Sequence, residues 1–371
     1  MKKVIKITLI FISSILVLLL AFVLVLHLFE YRPEETTNLT IDNENKFSKN
    51  LSTNMPISIL TFNTGYSSLS QTEDFVMDGG KKARMDSKED VEANIDGIKV
   101  ILDEADADIY LLQEVDIDSN RSYNINQYQI YQSLLDRPSM LAYNYRSIFV
   151  PFPLNPSQMM GKVNSGIVTF SSFETSQATR IQLPGSFPWP VRLANLKRAL
   201  LISRHPIEGL DEELVVINVH LSAYDDGTMR IEELKALQAI MLEEKSQGNY
   251  VVVGGDFNQS FPQALSSYTN QETYTYKDQY ALISDNLWEA YPLNPEWFNT
   301  NNFDLLVDPN TPTCRLLHQA YDTVNLENNQ YYLIDGFIVS DNIQINLIET
   351  SNENFYYSDH NPVKIVLQLI P

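Results

Sequence analysis

The chain has 371 residues, of which 44% are hydrophobic and 20% are charged. This length is sufficient for one large domain with a full core or for two smaller domains. The formal net charge of −21 disfavours a protein that holds nucleic acid through a basic surface, although a phosphate ester can still bind where metal ions supply positive charge. With Cys314 as the single cysteine, an internal disulfide framework and a cysteine-based zinc site are excluded.

The N-terminal part combines a basic segment with a long apolar run. Residues 1–6 include Lys2, Lys3 and Lys6, and residues 7–29 are almost wholly apolar. At about 1.5 Å per residue, such a run can cross a hydrocarbon core of about 30 Å. The lysines predict a single-pass protein of the cell membrane, with a cytoplasmic N-terminus and the remaining chain outside. A cleaved signal sequence is the alternative interpretation, and it exports the domain as well.

The next segment, residues 30–55, is polar and rich in Asn, Thr and Glu. It has little apolar periodicity, so we expect a flexible stalk between the membrane helix and a domain of residues 56–371. A protein that starts near Thr53 should then retain the whole domain.

Apolar strand patterns in this domain repeatedly end in polar residues. One run, 250–253, is followed by Gly254 and Gly255, which permit a tight turn and close backbone approach. An acid and an amide after a buried strand are typical of a polar site at a sheet edge, although an isolated Asp-x-Asn is often only turn chemistry. The polar residues at or just after such strand ends are Asn63, Glu114, His220, Asp256 and Asn258, and near the C-terminus Asp335, Asp359 and His360 stand just before apolar runs.

Helical patterns alternate with further strand patterns. Apolar residues recur at helical spacing in 88–105 and 229–245. Further strands are predicted at 147–150, 166–171, 199–203, 336–340, 343–348 and 363–369. Two long segments, 150–164 and 260–330, show no clear element, and we expect either binding loops or loops held down by aromatic side chains. The aromatic residues of the second segment include Tyr268, Tyr274, Tyr276, Trp288, Trp297 and Phe298.

The order and context of the strand-end residues resemble the endonuclease/exonuclease/phosphatase family, the deoxyribonuclease I-like hydrolases. The resemblance covers roughly residues 56–371, and the apolar N-terminal run makes the chain similar to a membrane-anchored member of bacterial type. It implies a four-layered α/β sandwich, in which two mixed β-sheets are flanked by helices, preceded here by a transmembrane helix. It also implies a metal-dependent hydrolase of phosphate esters.

The same resemblance implies a cation site. Glu114 is the expected metal ligand, Asn63 lies beside it, and Asp359 is a further candidate ligand. The cation would be Mg²⁺, or else Mn²⁺ or Ca²⁺, since hard cations take oxygen ligands and one or two acids suffice. Asn63 is also a candidate for substrate binding.

An acid–base set is implied as well. Asp335 and His360 form the expected dyad, in which the carboxylate holds an imidazole that orients or deprotonates the attacking water. His220 would stabilise or protonate a phosphate or leaving oxygen. Asp256 would position or activate water, and Asn258 would hold the phosphate.

Three further positions are candidates for substrate contact. Arg198 matches a phosphate-contacting arginine, whose planar guanidinium suits a two-point contact, although a surface salt bridge is equally compatible with its position. Asn164 stands roughly where the family has an acid that supports the first histidine. Arg121 either contacts substrate or belongs to a solvated loop. The motif 255–258 lacks the preceding Trp and following Arg of the inositol-polyphosphate phosphatases, so that branch is disfavoured.

The expected function is therefore that of a metal-dependent phosphodiesterase on the outer face of the membrane. Its partners would be a phosphate-ester substrate (nucleic acid, a lipid headgroup or a small phosphodiester) and the bilayer that holds the N-terminal helix; no protein partner can be inferred. Within this class, an extracellular nuclease and a sphingomyelinase-type lipid phosphodiesterase are alternatives. A lipid substrate requires an exposed apolar surface, for which 260–330 is the candidate. A non-catalytic binding module on the same fold is the alternative from another class.

Overall fold

The computed structural model of the protein describes residues 1–225, 227–264 and 280–371. Its helices are α1 (Lys2–Leu28), α2 (Lys88–Ala105), α3 (Gln127–Leu135), α4 (Thr228–Ser246) and α5 (Pro295–Thr300). Its strands are β1 (Thr36–Asn38), β2 (Ile57–Asn63), β3 (Ile109–Asp116), β4 (Ser139–Val150), β5 (Gly161–Ser171), β6 (Gln177–Gln182), β7 (Ala199–Pro206), β8 (Glu213–His220), β9 (Tyr250–Asp256), β10 (Phe303–Leu306), β11 (Cys314–Arg315), β12 (Tyr331–Tyr332), β13 (Asp335–Ser340), β14 (Ile343–Thr350) and β15 (Val363–Leu369).

Two mixed sheets form the centre of the fold. The first has seven strands in the order β1-β6-β7-β8-β9-β13-β10, and the second has six in the order β14-β15-β2-β3-β5-β4. The pairs β2/β3 and β8/β9 are parallel, whereas β9/β13 and β15/β2 are antiparallel. Parallel neighbours place their carboxyl ends at the same edge, and this edge carries the polar strand-end residues.

The main core lies between the two sheets, where Ile59 and Leu111 of one sheet meet Val216 and Val252 of the other. Because both faces of these strands are buried, the sequence shows continuous apolar runs there instead of alternation. Helices α2 and α3 cover the outer face of the six-stranded sheet. Helices α4 and α5 contribute to the core cluster of the seven-stranded sheet. The predicted four-layered α/β sandwich is confirmed.

Local signals explain which elements were predictable. Helix α2 has the predicted bounds, and Ser87 caps it by accepting a hydrogen bond of 3.1 Å from the backbone N–H of Asp90. Strands β4 and β5 begin earlier than predicted, so the loop after residue 150 ends at 160. The segment 260–330 contains α5 and two short strands, β10 and β11, in its described part, and Phe298 is fully buried there. Within the same segment, Tyr268, Tyr274 and Tyr276 lie outside the described residues.

The segment expected to be a flexible stalk is packed on the domain instead. Strand β1 pairs with β6, Asp42 bridges to Ser139, and Leu51 is 2% exposed in the core between the sheets. A short edge strand is held through backbone hydrogen bonds, which require no apolar periodicity, and this is why the composition of 30–55 was misleading. The folded domain therefore extends N-terminally to about the start of β1.

This packing changes what we expect of shortened proteins. Leu51→Ala should lower the free energy of unfolding by about 2–5 kcal/mol, because it leaves a cavity in a closed core. A protein that starts near Thr53 should lose at least as much, whereas one that starts at Tyr31 should not. Urea unfolding checks this, with Leu210→Ala as the control because Leu210 is 40% exposed. Equal stability of the Tyr31 and Thr53 proteins would contradict the packing described here.

Helix α1 has the length and apolar composition of a membrane span or a signal sequence. Its last turns touch the domain: Leu26 is 6% exposed, and the ring of Phe22 lies 6.0 Å from that of Phe149. Just after the helix, the buried carboxylate of Glu30 accepts hydrogen bonds from Lys197 at 3.1 Å and from Arg32 at 3.0 Å. These contacts fix the direction in which α1 leaves the domain.

Candidate active site

The strand-end residues of both sheets converge at one edge. His220 at the end of β8 stands in register with Asp256 of β9, which in turn stands in register with Asp335 of β13. Gly255 allows this approach, because a Cβ atom there would lie 2.0 Å from the carbonyl oxygen of Val219. Asn63 of the other sheet donates from Nδ2 to Asp256 Oδ2 at 3.1 Å, so the two sheets meet in one polar site.

The implied dyad is present. His360 Nδ1 lies 2.8 Å from Asp335 Oδ2, and both side chains are buried. The backbone N–H of His360 also donates to Ser358 Oγ at 3.2 Å, which fixes the loop that carries the imidazole. Burial alone would lower the pKa of His360, but the charge of Asp335 raises it well above its usual value. The imidazole is therefore held as a charged donor.

Asp256 occupies the centre of the site. Its Oδ1 accepts from the backbone N–H of Asn258 at 2.8 Å, and its Oδ2 lies 3.9 Å from Nε2 of His360 and 3.5 Å from Nε2 of His220. Burial, followed by the negative charge of Asp335, raises the pKa of Asp256 to about 7. A carboxyl group with this pKa can accept a proton from water near neutral pH.

Asn258 has a different set of contacts from the one expected. Its amide Nδ2 donates to the carbonyl of Leu221 at 2.9 Å and to Asp256 Oδ2 at 3.3 Å. Both amide hydrogens are thus directed at the protein, and the backbone of Asn258 is left-handed with φ = +50°. These contacts position Asp256 and leave Asn258 without a spare donor for phosphate.

Glu114 reaches the site through a bulge in β3. The pairing of β3 with β5 shifts register between Leu112 and Val115, and Glu114 lies there with φ = +56°. Such bulges redirect a side chain at the cost of backbone strain. Oε1 of Glu114 lies 3.8 Å from His220 Nε2, and the buried Oε2 has no hydrogen-bond partner among the described residues.

The donor set fits a hard divalent cation. An uncompensated buried carboxylate oxygen on Glu114 is costly without a positive partner. Burial and the nearby charge of Glu114 also raise the pKa of Asp359 to about 7, although His360 opposes this. Asn63 Oδ1 accepts one hydrogen bond, from the backbone N–H of Gly65 at 3.0 Å, and keeps a second lone pair. Oxygen atoms from these three side chains are the type of ligand that Mg²⁺ prefers.

His220 differs from His360 in charge and support. Its Nδ1 is buried and finds no partner in the part of the chain that the structure describes. Burial, followed by the positive charge of Arg198, lowers its pKa well below the usual value, so the imidazole is neutral. Asn164 does not support it, because its amide donates to the carbonyl of Asp118 at 3.4 Å.

The two arginine predictions have different outcomes. Arg198 points into the site, where its Nη1 is buried and lacks a hydrogen-bond partner within the described ranges. Arg121 is buried in an ion pair with Asp116 at 2.9 Å and lies 3.6 Å from the ring centroid of Tyr66. Arg121 is therefore not a solvated loop residue: its ion pair with Asp116 fixes the end of β3, and its side chain also lines a chamber next to the site.

Several site residues were not found from the sequence. Arg315 donates to the carbonyls of Ser70 and Glu73, at 2.8 and 3.2 Å, and Tyr224 donates to Asp78. Arg315, Tyr224 and Asp78 line the polar site, but they come from short segments with no periodic pattern: the two-residue strand β11, the loop after β8 and a 3₁₀ turn. The pattern of polar residues at strand ends, which identified the other site residues, does not identify these three.

Two connected chambers contain these groups. The polar chamber has a volume of about 80 Å³ and is lined by Asp256, Asp359 and His360 among others. A second chamber of about 590 Å³ extends from it toward α1. The two share Glu114, Arg198 and His220, so the unpaired groups of the site stand at the junction.

A family model and several solved structures are similar to this chain. A model of the Endonuclease/Exonuclease/phosphatase family matches residues 60–340, and no curated protein sequence matches the chain. A solved endonuclease/exonuclease/phosphatase from Beutenbergia cavernae is 16% identical with a TM-score of 0.53, over 85% of this chain and 72% of that one. Another from Bacteroides vulgatus is 16% identical with a TM-score of 0.51, over 85% of this chain and 99% of that one.

A family protein from Leptotrichia buccalis is 14% identical with a TM-score of 0.51, over 83% of this chain and 98% of that one. At these identities the solved structures establish a shared fold only. The match to the family model, in contrast, covers more than half of the chain. The chain belongs to the endonuclease/exonuclease/phosphatase family, whose members hydrolyse phosphoester bonds.

Proposed function

We propose that this protein is a metal-dependent phosphodiesterase whose catalytic domain lies on the outer face of the membrane. The observation that carries the proposal is the buried Asp335–His360 pair, which faces Asp256 across 3.9 Å. Around it stand charged groups of both signs, Glu114 Oε2 and Arg198 Nη1, which have no hydrogen-bond partner among the described residues. A bound cation would pair with the Glu114 carboxylate, and a phosphate oxygen would pair with the Arg198 guanidinium.

Each side chain has a role that follows from its charge and contacts. Asp256, with a pKa of about 7, receives the proton of the attacking water. His360, kept charged by Asp335, donates a hydrogen bond to a phosphate oxygen. Arg198 contacts a second phosphate oxygen through Nη1, which has no hydrogen-bond partner in the described part of the chain.

His220 and the acids complete the arrangement. Neutral His220 stands within 3.8 Å of Glu114 Oε1 and is placed to hydrogen-bond the phosphate or the leaving oxygen. A divalent cation, which we propose is Mg²⁺ (or Mn²⁺ or Ca²⁺) held by Glu114 with Asn63 and Asp359, would neutralise negative charge on the phosphate. Asn258 acts through Asp256 as a positioning residue.

A substrate panel tests the proposal. Bis-p-nitrophenyl phosphate and p-nitrophenyl phosphate are compared with Mg²⁺, with Mn²⁺, with Ca²⁺ and with a chelator. We expect hydrolysis of the diester, dependent on a cation and faster than that of the monoester. Full activity in the chelator would contradict the metal dependence, and absence of hydrolysis in every arm would contradict the phosphoesterase itself and favour the non-catalytic binding module. DNA and RNA belong in the same panel, although the net charge of −21 disfavours them.

Arg198 offers a specific test of phosphate contact. Arg198→Lys keeps the charge but removes the planar donor pair, so kcat/KM for the diester should fall by about tenfold to a hundredfold. Arg204→Lys is the matched control, because Arg204 lies at the other end of β7 and pairs with Glu213 at 3.2 Å. Similar kcat/KM values for the two variants would remove Arg198 from the site.

The membrane topology is a separate expectation. The full-length protein should fractionate with membranes, and protease added to intact cells should remove the domain, since Lys2, Lys3 and Lys6 hold the N-terminus inside. Permeabilised cells provide the control for protease access. Protection of the domain until the cells are opened would overturn the outward orientation.

A further inference from the structure

The larger chamber is bounded on one side by the helix that we place in the membrane. Its wall includes Phe22, Val23 and Leu26 from the last turns of α1 and Phe152, Val191 and Leu193 from the domain. All six side chains are apolar. The volume of about 590 Å³ is in the range of about 300–1,000 Å³ typical of small-molecule sites. An occupant of this chamber must be predominantly apolar.

The polar end of the chamber is equally specific. Glu114, Arg198 and His220 line both chambers, so the apolar space leads directly to the proposed phosphate site. Arg198 Nη1 is buried there and lacks a partner among the described residues. The space therefore has an apolar body and one end that takes an anion, which is the form of an amphiphile with a phosphate group.

The position of α1 relates the chamber to the bilayer. An apolar run that starts at residue 7 crosses about 30 Å of hydrocarbon in about 20 residues, which places Phe22 to Leu26 at its outer boundary. Beside them, Trp189 is 60% exposed, Val191 52% and Phe152 40%. Exposed apolar side chains grouped next to a membrane helix are expected to enter the interface, where tryptophan is favoured.

This surface is distinct from the one that the sequence indicated. The segment 260–330 contributes no residue to the apolar chamber among its described part, whereas 150–152 and 187–196 do. Trp288, an aromatic residue of 260–330, packs 5.0 Å from the ring of Tyr332 and lines the polar chamber. The apolar surface required for a lipid is therefore built by α1 with other loops.

We infer that the substrate is a phospholipid of the outer leaflet, whose acyl chains lie in the chamber beside α1 while its phosphodiester reaches Arg198 and His220. The inference rests on the proposed phosphodiesterase function and names its substrate class. In the reaction, the oxygen of water bonds to phosphorus and the P–O bond to one of the two alcohols breaks. The water gives one proton to Asp256, the departing oxygen takes one proton from solvent, and Asp256 later returns its proton to solvent, so the protons balance. The products are a phosphomonoester and a free alcohol.

Nucleic acid fits this chamber poorly. Bases have polar edges that need hydrogen-bond partners, and the backbone needs a run of positive charge. The six wall residues named above offer neither. Among the residues that line the chamber, Arg121 and Arg198 carry positive charge, Arg121 is paired with Asp116, and the chain carries a net charge of −21. A zwitterionic or anionic lipid presents one phosphate at the junction and apolar chains behind it, which matches the distribution of groups.

The test uses the full-length protein in proteoliposomes with Mg²⁺. Substrates are vesicles of phosphatidylcholine, phosphatidylethanolamine and phosphatidylglycerol, the corresponding deacylated glycerophosphodiesters, and bis-p-nitrophenyl phosphate. We expect at least one diacyl lipid to be hydrolysed faster than its deacylated counterpart, with phosphomonoester and alcohol identified by mass spectrometry. If bis-p-nitrophenyl phosphate is hydrolysed but no diacyl lipid is, the lipid inference fails and the phosphodiesterase stands. If no substrate is hydrolysed, the proposed phosphodiesterase function is contradicted, and the lipid inference fails with it.

A matched pair of variants tests the chamber itself. Phe152→Asp places a charge in its wall, and Leu210→Asp makes the same change at the far end of the sheet, where Leu210 is also 40% exposed. The ratio of lipid turnover to soluble-diester turnover should fall about tenfold in Phe152→Asp and remain unchanged in Leu210→Asp. An unchanged ratio in Phe152→Asp would show that acyl chains do not use the chamber.

Photocrosslinking gives a readout that does not depend on turnover. Phosphatidylcholine with a diazirine near the end of one acyl chain is irradiated with the metal-free protein in vesicles. Cross-links should map to 187–196 and to the last turns of α1. In Phe152→Asp, the yield of cross-links at 187–196 should be lower than in the wild type. Cross-links confined to the lipid-facing middle of α1 would overturn the inference.

Discussion

His360→Ala should lower kcat for bis-p-nitrophenyl phosphate by about 10²–10³-fold, the usual range for loss of a positioned donor that stabilises developing negative charge. The variant removes the charged donor that Asp335 holds at 2.8 Å and leaves that carboxylate buried without a partner. The loss should appear in kcat more than in KM, because the donor is most effective when charge develops on the phosphate. Steady-state kinetics with Mg²⁺ measures it.

The partner residue makes the prediction specific to a dyad. Asp335→Asn keeps the size of the side chain but removes the charge that raises the pKa of His360, so kcat should fall by nearly as much. The double variant should then be little worse than His360→Ala alone, since residues that act as a unit are not additive. His318→Ala is the control, because His318 lies outside the residues that line the two chambers. Losses that simply multiply would show that Asp335 and His360 act independently.

The strand ends were predictable because their signals are local. A buried strand in a doubly covered sheet needs an uninterrupted apolar run, and a polar residue directly before or after such a run marks where the strand enters or leaves the core. This reasoning, with the family resemblance, located Asp256, Asp335 and His360, and the structure brings all three together. The parallel pairing of β8 with β9 then sets His220 beside Asp256, a relation between elements that the sequence alone does not state.

What escaped prediction depends on contacts between distant segments. Arg315 reaches the carbonyl of Ser70 across 245 positions, and neither segment has periodic apolar residues. Leu51 lies in a polar stretch and is nevertheless buried. Backbone pairing holds this stretch on the domain, because β1 pairs with β6, and Asp42 and Lys49 form bridges to Ser139 and Phe173. The chamber beside α1 is likewise formed by residues far apart in the sequence, such as Phe22 and Leu193, and no local pattern predicts that they line the same chamber.

For Glu114, the local sequence indicated the position of the residue, whereas the direction of its side chain depends on tertiary contacts. Its position after an apolar run indicated an acid at the sheet edge, and the resemblance implied a metal ligand. Its direction, however, depends on the bulge opposite β5 and on a left-handed backbone with φ = +56°. Pairing with β5 is a tertiary contact, so the orientation of the carboxylate became visible only in the folded protein.

Glu114→Gln should abolish cation-dependent hydrolysis with little effect on folding in the absence of metal. The substitution keeps the size of the side chain and removes a charge whose Oε2 has no hydrogen-bond partner among the described residues, so no internal bond is broken. The variant should also lose the stabilisation that Mg²⁺ gives the wild type, which is about 2.7 kcal/mol at a concentration 100 times Kd. Thermal unfolding with Mg²⁺ or a chelator measures this independently of turnover.

The control for this prediction is Glu208→Gln, which removes the same charge from an exposed side chain that accepts a hydrogen bond from Asn50 at 2.7 Å. It should retain both turnover and the response to Mg²⁺. The comparison separates the loss of a ligand from the general effect of a less negative protein, which matters for a chain with a net charge of −21. Near-normal turnover by Glu114→Gln at low Mg²⁺ would show that the cation is held elsewhere, and the bulge in β3 would then need another explanation.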